Sequence, residues 1–217
     1  PASLPSPLAC GVPEKSADFW GALSPFASNL IASSPNNLIA SSPHRPIASS
    51  PLLHLCNTAG IERFPEYHFD MCRLGIGLYG LSFAHATLRN VCTLKTTILS
   101  IKTVPANATI GYGRHTTLSE PRQIAVIPIG YADGFDRRFS NYGGEVLVRG
   151  KRCPVVGNVC MDQAMIDVTG TDAQPGDYAI VFGDQLPLQE LADKLHTIPY
   201  EVLTSISRRV QRLYFYE

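Results

Sequence analysis

The sequence predicts a mainly β protein, its short strands arranged as in a barrel or a sandwich. Three observations carry this. The runs QIAVIPI, GEVLVRG, CPVVGNV, AMIDV and YAIVFG are short, apolar and separated by Gly, Asp and Pro turn residues. Helical spacing is clear only near the C-terminus, where Leu188, Leu191, Ala192 and Leu195 fall at i, i+3, i+4 and i+7. Hydrophobic residues make up 45% of the 217, so a packed core is within reach, while charged residues are only 17%.

Taken in chain order, residues 1–51 stand apart. More than half of the 17 prolines lie there, and only Glu14, Lys15, Asp18 and Arg45 carry charge. Asn29 to Pro35 reads NLIASSP, Asn37 to Pro43 repeats it, and Pro46 to Pro51 reads PIASSP. A proline in each copy removes a backbone donor, and Leu-Ile-Ala is too little apolar content to offset the ordering entropy. The segment reads as low-complexity and disordered.

From Leu52 to Leu81 the runs LLHLCNTAGI and FDMCRLGIGLYGL suit buried strands followed by tight loops, the end of something larger. Beyond Asn90, Cys92, Leu94, Thr96 and Ile98 alternate, and the phase slips near Ser100, which suggests a bulge. The strand runs above follow. PLQELADKL is then a helix, PYEVLTSI a second short one, and RVQRLYFY a closing strand.

Lys plus Arg and Asp plus Glu are equal at 18 each, which disfavours a nucleic-acid or membrane-surface binder. No apolar run approaches the roughly 20 residues that cross a bilayer, and no secretory signal is evident. The six cysteines, Cys10, Cys56, Cys72, Cys92, Cys153 and Cys160, form no C-x-x-C pair and no zinc spacing. They read as reduced thiols of a cytoplasmic protein.

Several residues could carry chemistry. Arg73 lies in the apolar run DMCRLGIGLYG, where a charge must be paired, with Asp70 or a distant carboxylate, or aimed at a ligand. Asn57-Thr58 precedes small residues and suits either a cap and turn or a cofactor loop. Tyr112 sits between two glycines, free to project from a loop or simply to be an exposed aromatic of a hairpin. A phenol ordinarily titrates near about 10, so acid/base work needs a nearby cation, such as Arg114, or a dry, oriented site. GYADG (130–134) and NVCMDQAMIDV (158–168) are also dense in polar groups. Cys160 lacks a His-Asn partner motif, and Asp162 and Asp167 lack an acidic cluster for a metal.

In order, CNTAGI, FDMCRLGIGLYG, GYGR, AVIPIGYADG, GKRCPVVGNVCMDQAMIDVT, PGDYAIVFG and IPYEVLTSISRRV resemble the alanine racemase family. The strings also resemble the racemase half of fused ligase–racemase enzymes of peptidoglycan synthesis. The match runs from Leu52 to Glu217. The resemblance implies a remnant of an α/β (TIM-type) barrel over 52–88 and the family's C-terminal β domain over 89–217. It implies pyridoxal 5'-phosphate as cofactor, L-alanine and D-alanine as substrates, and a cytoplasmic dimer with active sites shared between subunits.

Racemisation takes a proton from one face of the substrate and returns one to the other, so it wants two bases. By resemblance Tyr112 is one of them, and the lysine that binds the cofactor is the other. Arg73 matches the arginine facing the pyridine nitrogen. Thr58, Gly75 and Ile76 match positions that hold the cofactor phosphate, with Asn57 beside them. Met161 matches the position whose backbone meets the substrate carboxylate, and Tyr131 and Asp162 match neighbouring active-site positions. The family's lysine block, resembling VVKADAYGHG, has no counterpart here, and Arg208 stands where some members have a phosphate-binding tyrosine. The expectation is therefore a truncated racemase, inactive alone. Alternatives are a non-catalytic β module that supplies Tyr112 in trans to a full-length racemase, and a fragment with no independent role.

Overall fold

The structure is a computed structural model that describes residues 51–84, 88–140 and 143–215. The repeat segment expected to be disordered, with Cys10 and Lys15, lies outside the described residues apart from Pro51. Residues His54–Glu217 form one compact unit.

The β architecture holds. Among the described residues nine strands form: β1 (Leu94–Thr97), β2 (Ser100–Val104), β3 (Thr109–Ile110), β4 (Thr116–Thr117), β5 (Arg122–Ile127), β6 (Glu145–Val148), β7 (Lys151–Pro154), β8 (Ala164–Asp167) and β9 (Tyr178–Phe182). They make a four-stranded sheet in the order β1-β9-β6-β7, a three-stranded sheet β2-β5-β8 and a small β3-β4 hairpin. Each pairing is antiparallel, as short strands joined by tight turns allow.

The phase slip near Ser100 is not a bulge. Ile98 donates its amide to Asp177 O (2.9 Å), beside β9, whereas Leu99 donates to Val126 O (2.9 Å) on β5. The chain changes sheets between these two residues. The register irregularity lies earlier, between Leu94 and Lys95. Ile98 is buried at this crossing, inside the main core.

That core lies where the larger sheets face each other. Ala125 and Ile127 of β5, Val146 and Val148 of β6, Ile166 of β8 and Val181 of β9 belong to it. Phe135 and Phe139 close one end, their rings 4.9 Å apart. Two helices cover the core. In α2 (Leu188–Lys194) the residues picked out by the 3.6 period, Leu188, Leu191, Ala192 and then Leu195, are all buried. In α3 (Pro199–Ser205) Pro199 opens the first turn and is buried with Val202. Glu190 of α2 pairs with Arg152 of β7, and Lys194 with Glu145 of β6 (2.5 Å), which ties the helix to the sheet. Arg152 beside it holds the Glu190 carboxyl below its usual range.

Two strand expectations are not met. Between Leu52 and Leu81 the backbone makes one isolated parallel bridge, His54 to Met71, and then a helix, α1 (Thr58–Arg63). Leu52 and Leu53 are exposed, so the apolar run has no strand neighbour to pack on among the described residues. The C-terminal run also forms no strand over its described part, and Leu213, Tyr214 and Phe215 are exposed.

Cys56, Cys72, Cys92, Cys153 and Cys160 are free thiols. Cys153 on β7 is wholly buried, and burial pushes its thiol up from 9.0 to about 11. An acid whose folded-state value is raised keeps its proton longer folded than unfolded. Its contribution is therefore complete below pH 9.0 and fades towards about 11. The expected outcome is a fall in unfolding free energy of about 3 kcal/mol across that window, flattened in Cys153→Ala. Urea titrations at several pH values check it.

Candidate active site

Two groups of residues stand out, one buried and one exposed. The buried group centres on Thr58. Asn57 caps α1, its Oδ1 accepting from the Gly60 amide at 3.0 Å, so this side chain serves the helix. Thr58 is only 2% exposed, and its Oγ1 accepts from the amides of Gly75 (3.1 Å) and Gly77 (3.4 Å). A Cβ at Gly75 would come nearest to Thr58 Oγ1, at 3.9 Å, so the glycine leaves room beside the hydroxyl. Ile76 begins the next one-turn helix with its side chain buried. Tyr200 lies on the first turn of α3, and partial burial pushes its phenol up from the usual value. Arg73 donates from Nη2 to Leu55 O (2.8 Å), and its own amide donates to Cys56 O (2.8 Å).

A hydroxyl beside a glycine opening has the neutral donor chemistry that suits a phosphate monoester such as that of pyridoxal phosphate, with the Gly75 and Gly77 amides here donating to Thr58 itself. The four described lysines lie elsewhere. Lys95 stacks 4.1 Å over the Tyr178 ring, Lys151 bonds Gly170 O, Lys194 bonds Glu145, and Lys102 lies on β2.

The exposed group hangs on the segment between Gly157 and Asp162. Tyr112 occupies a one-turn helix, Tyr112–Arg114, after Gly111 at φ 74. A Cβ at Gly111 would stand 3.2 Å from Asn158 N, so the position requires glycine for both conformation and approach. The Asn158 side-chain amide donates to Tyr112 O at 2.7 Å. The backbone is thus clamped while the ring stays 77% exposed.

The GYADG turn docks on the same segment. Tyr131 N donates to Cys160 O (3.0 Å) and Ala132 N to Met161 O (3.0 Å). A Cβ at Gly130 would lie 2.3 Å from both carbonyl oxygens, so only glycine fits there. Tyr131 and Met161 are both exposed. Among the described residues the Met161 N–H has no protein acceptor, which leaves a donor for a carboxylate. An open hollow of about 370 Å³ lies beside Tyr131, lined by Gly134, Asp136, Arg137 and Ser205. Arg138 holds the Asp136 carboxyl below its usual range.

Sequence reasoning missed Arg209. Its Nε donates to Asp133 (2.6 Å) and its Nη2 to Asp162 (2.6 Å), while Asp133 also accepts from the Gly130 amide (2.9 Å). One guanidinium thereby joins the GYADG turn, the Met161 loop and the C-terminal segment. The missed signal was two carboxylates in candidate loops with no cation assigned to them. Arg208 itself is exposed. Asn158 was also missed, because no spacing betrays its partner.

Comparison with known proteins identifies the family to which this fold belongs. The domain family described as alanine racemase, C-terminal domain, matches residues 91–214, and alanine racemase, N-terminal domain, matches 36–83. Alanine racemase 2 of Caldanaerobacter subterraneus subsp. tengcongensis is 46% identical over 175 residues, 76% of this chain and 45% of that protein. Alanine racemase 1 of Oceanobacillus iheyensis is 43% identical over 172 residues, 74% of this chain and 46% of that protein. Alanine racemase from Bartonella henselae, solved with covalently bound pyridoxal phosphate, has a TM-score of 0.78 at 30% identity. The match covers 91% of this chain and 52% of that one. The Enterococcus faecalis enzyme ("E.faecalis") has a TM-score of 0.69 at 34% identity, covering 73% and 45%. The chain belongs to the alanine racemase family. It spans about half the length of the curated relatives it matches.

Arg209→Met should free the GYADG and Met161 loops without unfolding the domain, since Arg209 and Asp162 are about half exposed and Asp133 keeps its bond from the Gly130 amide. Hydrogen exchange at the Tyr131 and Ala132 amides is expected to speed up about ten-fold, with the unfolding midpoint nearly unmoved. Asn158→Ala should do the same at residues 111–115.

Proposed function

We propose that this chain works in the interconversion of L-alanine and D-alanine with pyridoxal phosphate, supplying one of the two proton-transferring groups and the phosphate cradle. The observation that carries this reading is the Tyr112 phenol, 77% exposed on a backbone that Asn158 and Gly111 hold fixed. A proton carrier must be placed before its substrate arrives, and a clamped turn does that at little entropic cost.

The family resemblance supports the roles proposed for the other residues. Thr58, Gly75 and Ile76 would hold the cofactor phosphate, Asn57 fixing the turn that presents them. Arg73 would face the pyridine nitrogen. A guanidinium donates hydrogen bonds and keeps its proton, so it would hold that nitrogen unprotonated. The bound cofactor supplies the electron withdrawal that makes the substrate Cα–H acidic. The free Met161 N–H would meet the substrate carboxylate, with Tyr131 and Asp162 on the adjoining loops. Tyr112 Oη would take the Cα proton of L-alanine and return one in the opposite direction.

The exposure of Tyr112 also supports the reading that the ring serves a substrate held by a companion barrel, in a homodimer or with a full-length racemase. We place the reaction in the cytoplasm, as a source of D-alanine for peptidoglycan. No helix among the described residues is long and apolar enough to cross a membrane.

The test is hydrogen exchange at alanine Cα. Residues 1–217 alone, with pyridoxal phosphate, are expected to show no L-to-D exchange, because no described lysine lies at the cradle. Mixed with a full-length racemase whose own matching tyrosine is replaced by phenylalanine, the chain should restore exchange. Tyr112→Phe should remove that gain by about 10²-fold or more. Exchange that is restored equally by Tyr112→Phe overturns the assignment.

A further inference from the structure

The turn that carries Tyr112 has a conformation that its own backbone does not secure. The base of the hairpin is anchored, because Ile110 of β3 packs with Leu118 and Ile124 in a small core of their own. Above that base the chain is left-handed at Gly111 (φ 74), Gly113 (φ 76) and Arg114 (φ 53). Glycine enters this region freely, but arginine does so rarely, and such strain persists only where the surroundings hold it. Within the turn, the Arg114 amide donates to Gly111 O at a long 3.3 Å. From outside, the Asn158 side chain holds the Tyr112 carbonyl. The next residue is held by a different group. A Cβ at Gly113 would stand 2.5 Å from His115 Nε2 and 2.7 Å from His115 Cδ2, so the imidazole folds back over the bare face of that glycine.

We propose that His115 is a positioning residue for Tyr112, its imidazole packing on Gly113 and holding the left-handed turn that sets where the Tyr112 hydroxyl stands. The proposal rests on the reading of Tyr112 given above and adds a residue to it. Both ends of the turn are tied into the pairing of β3 with β4, so a relaxation at Gly113 or Arg114 must be taken up at Tyr112. A group that takes a proton must stand within hydrogen-bond reach of it, and a displacement of about 1 Å can cost on the order of 10²-fold in rate. The role is one of contact, so another flat ring should serve in place of the imidazole, whereas a methyl group should not.

The test has two arms on residues 1–217. In the first, proton NMR reads the Gly113 α-protons, which a ring lying over them shifts, and hydrogen exchange reads the Tyr112 and Gly113 amides. His115→Ala should abolish the ring shift and speed exchange about five-fold with the thermal midpoint unmoved, and His115→Phe should keep exchange slow. In the second arm the chain is mixed with a full-length racemase whose own matching tyrosine is phenylalanine, and alanine deuterated at Cα is followed in both directions. His115→Ala should slow racemisation about ten-fold. It should also raise the isotope effect measured from L-alanine, where Tyr112 takes the deuteron, without raising that from D-alanine. His115→Phe should recover most of the rate. If His115→Ala leaves the Gly113 signals and the Tyr112 exchange as in the wild type, or slows racemisation with both isotope effects unchanged, the role of His115 is overturned while that of Tyr112 stands. If the wild-type chain restores no racemisation, or Tyr112→Phe restores it equally, the reading of Tyr112 fails, and His115 with it.

Discussion

The candidate site depends on backbone contacts to a single segment, Gly157 to Asp162. Loops ordinarily hold function at the cost of mobility. Here the turn carrying Tyr112 is bonded through Asn158, and the turn carrying Tyr131 through the carbonyls of Cys160 and Met161. Gly130 lets two backbones come within a distance that any side chain would block. Because the contacts run through amides and carbonyls, the exposed rings are aimed without being buried. The β sheets matter to function mainly as the frame that brings β5, β8 and the turns between β5 and β6 to this segment.

Arg209 shows how energy and geometry divide. Its partners Asp133 and Asp162 lie only 2.6 Å from it, and together they push the guanidinium further up, yet the arginine is half open to water. Screened pairs of this kind contribute little to global stability. What the arginine adds is registry: one planar fork fixes the distance between two acidic loops. The apolar core makes the fold, and the exposed fork sets the relative position of the turns.

Much of this was legible in the sequence wherever periodicity reports burial. Leu188, Leu191, Ala192 and Leu195 gave away α2, and the runs around Val126, Val146, Ile166 and Val181 became strands of the core. Periodicity fails where a strand needs a neighbour that the pattern cannot name. LLHLC and RLYFY have strand composition, but a strand exists only in a ladder, and the described part of each finds one bridge or none. The slip at Ser100 was visible, yet its cause was not, because a bulge and a change of sheet leave the same trace in alternation. Family resemblance pointed to Tyr112, Thr58 and Met161 as candidates. Asn158 and Arg209 came only from tertiary contacts, since each acts on a residue at least 40 positions away.

The two halves of the site are prepared in opposite ways. Thr58 is buried and accepts from two amides, so the cost of ordering the cradle is met by folding itself. Tyr112 is ordered only through its backbone, and its oxygen faces water. A phenol in water is a poor base at neutral pH, and it becomes a useful one when water is excluded and a cation or substrate stands opposite. On the function proposed above, a surface that covered this ring would be what makes it reactive. A fixed backbone with a free ring is the arrangement such a division requires: the fold supplies position, and the covering surface supplies reactivity.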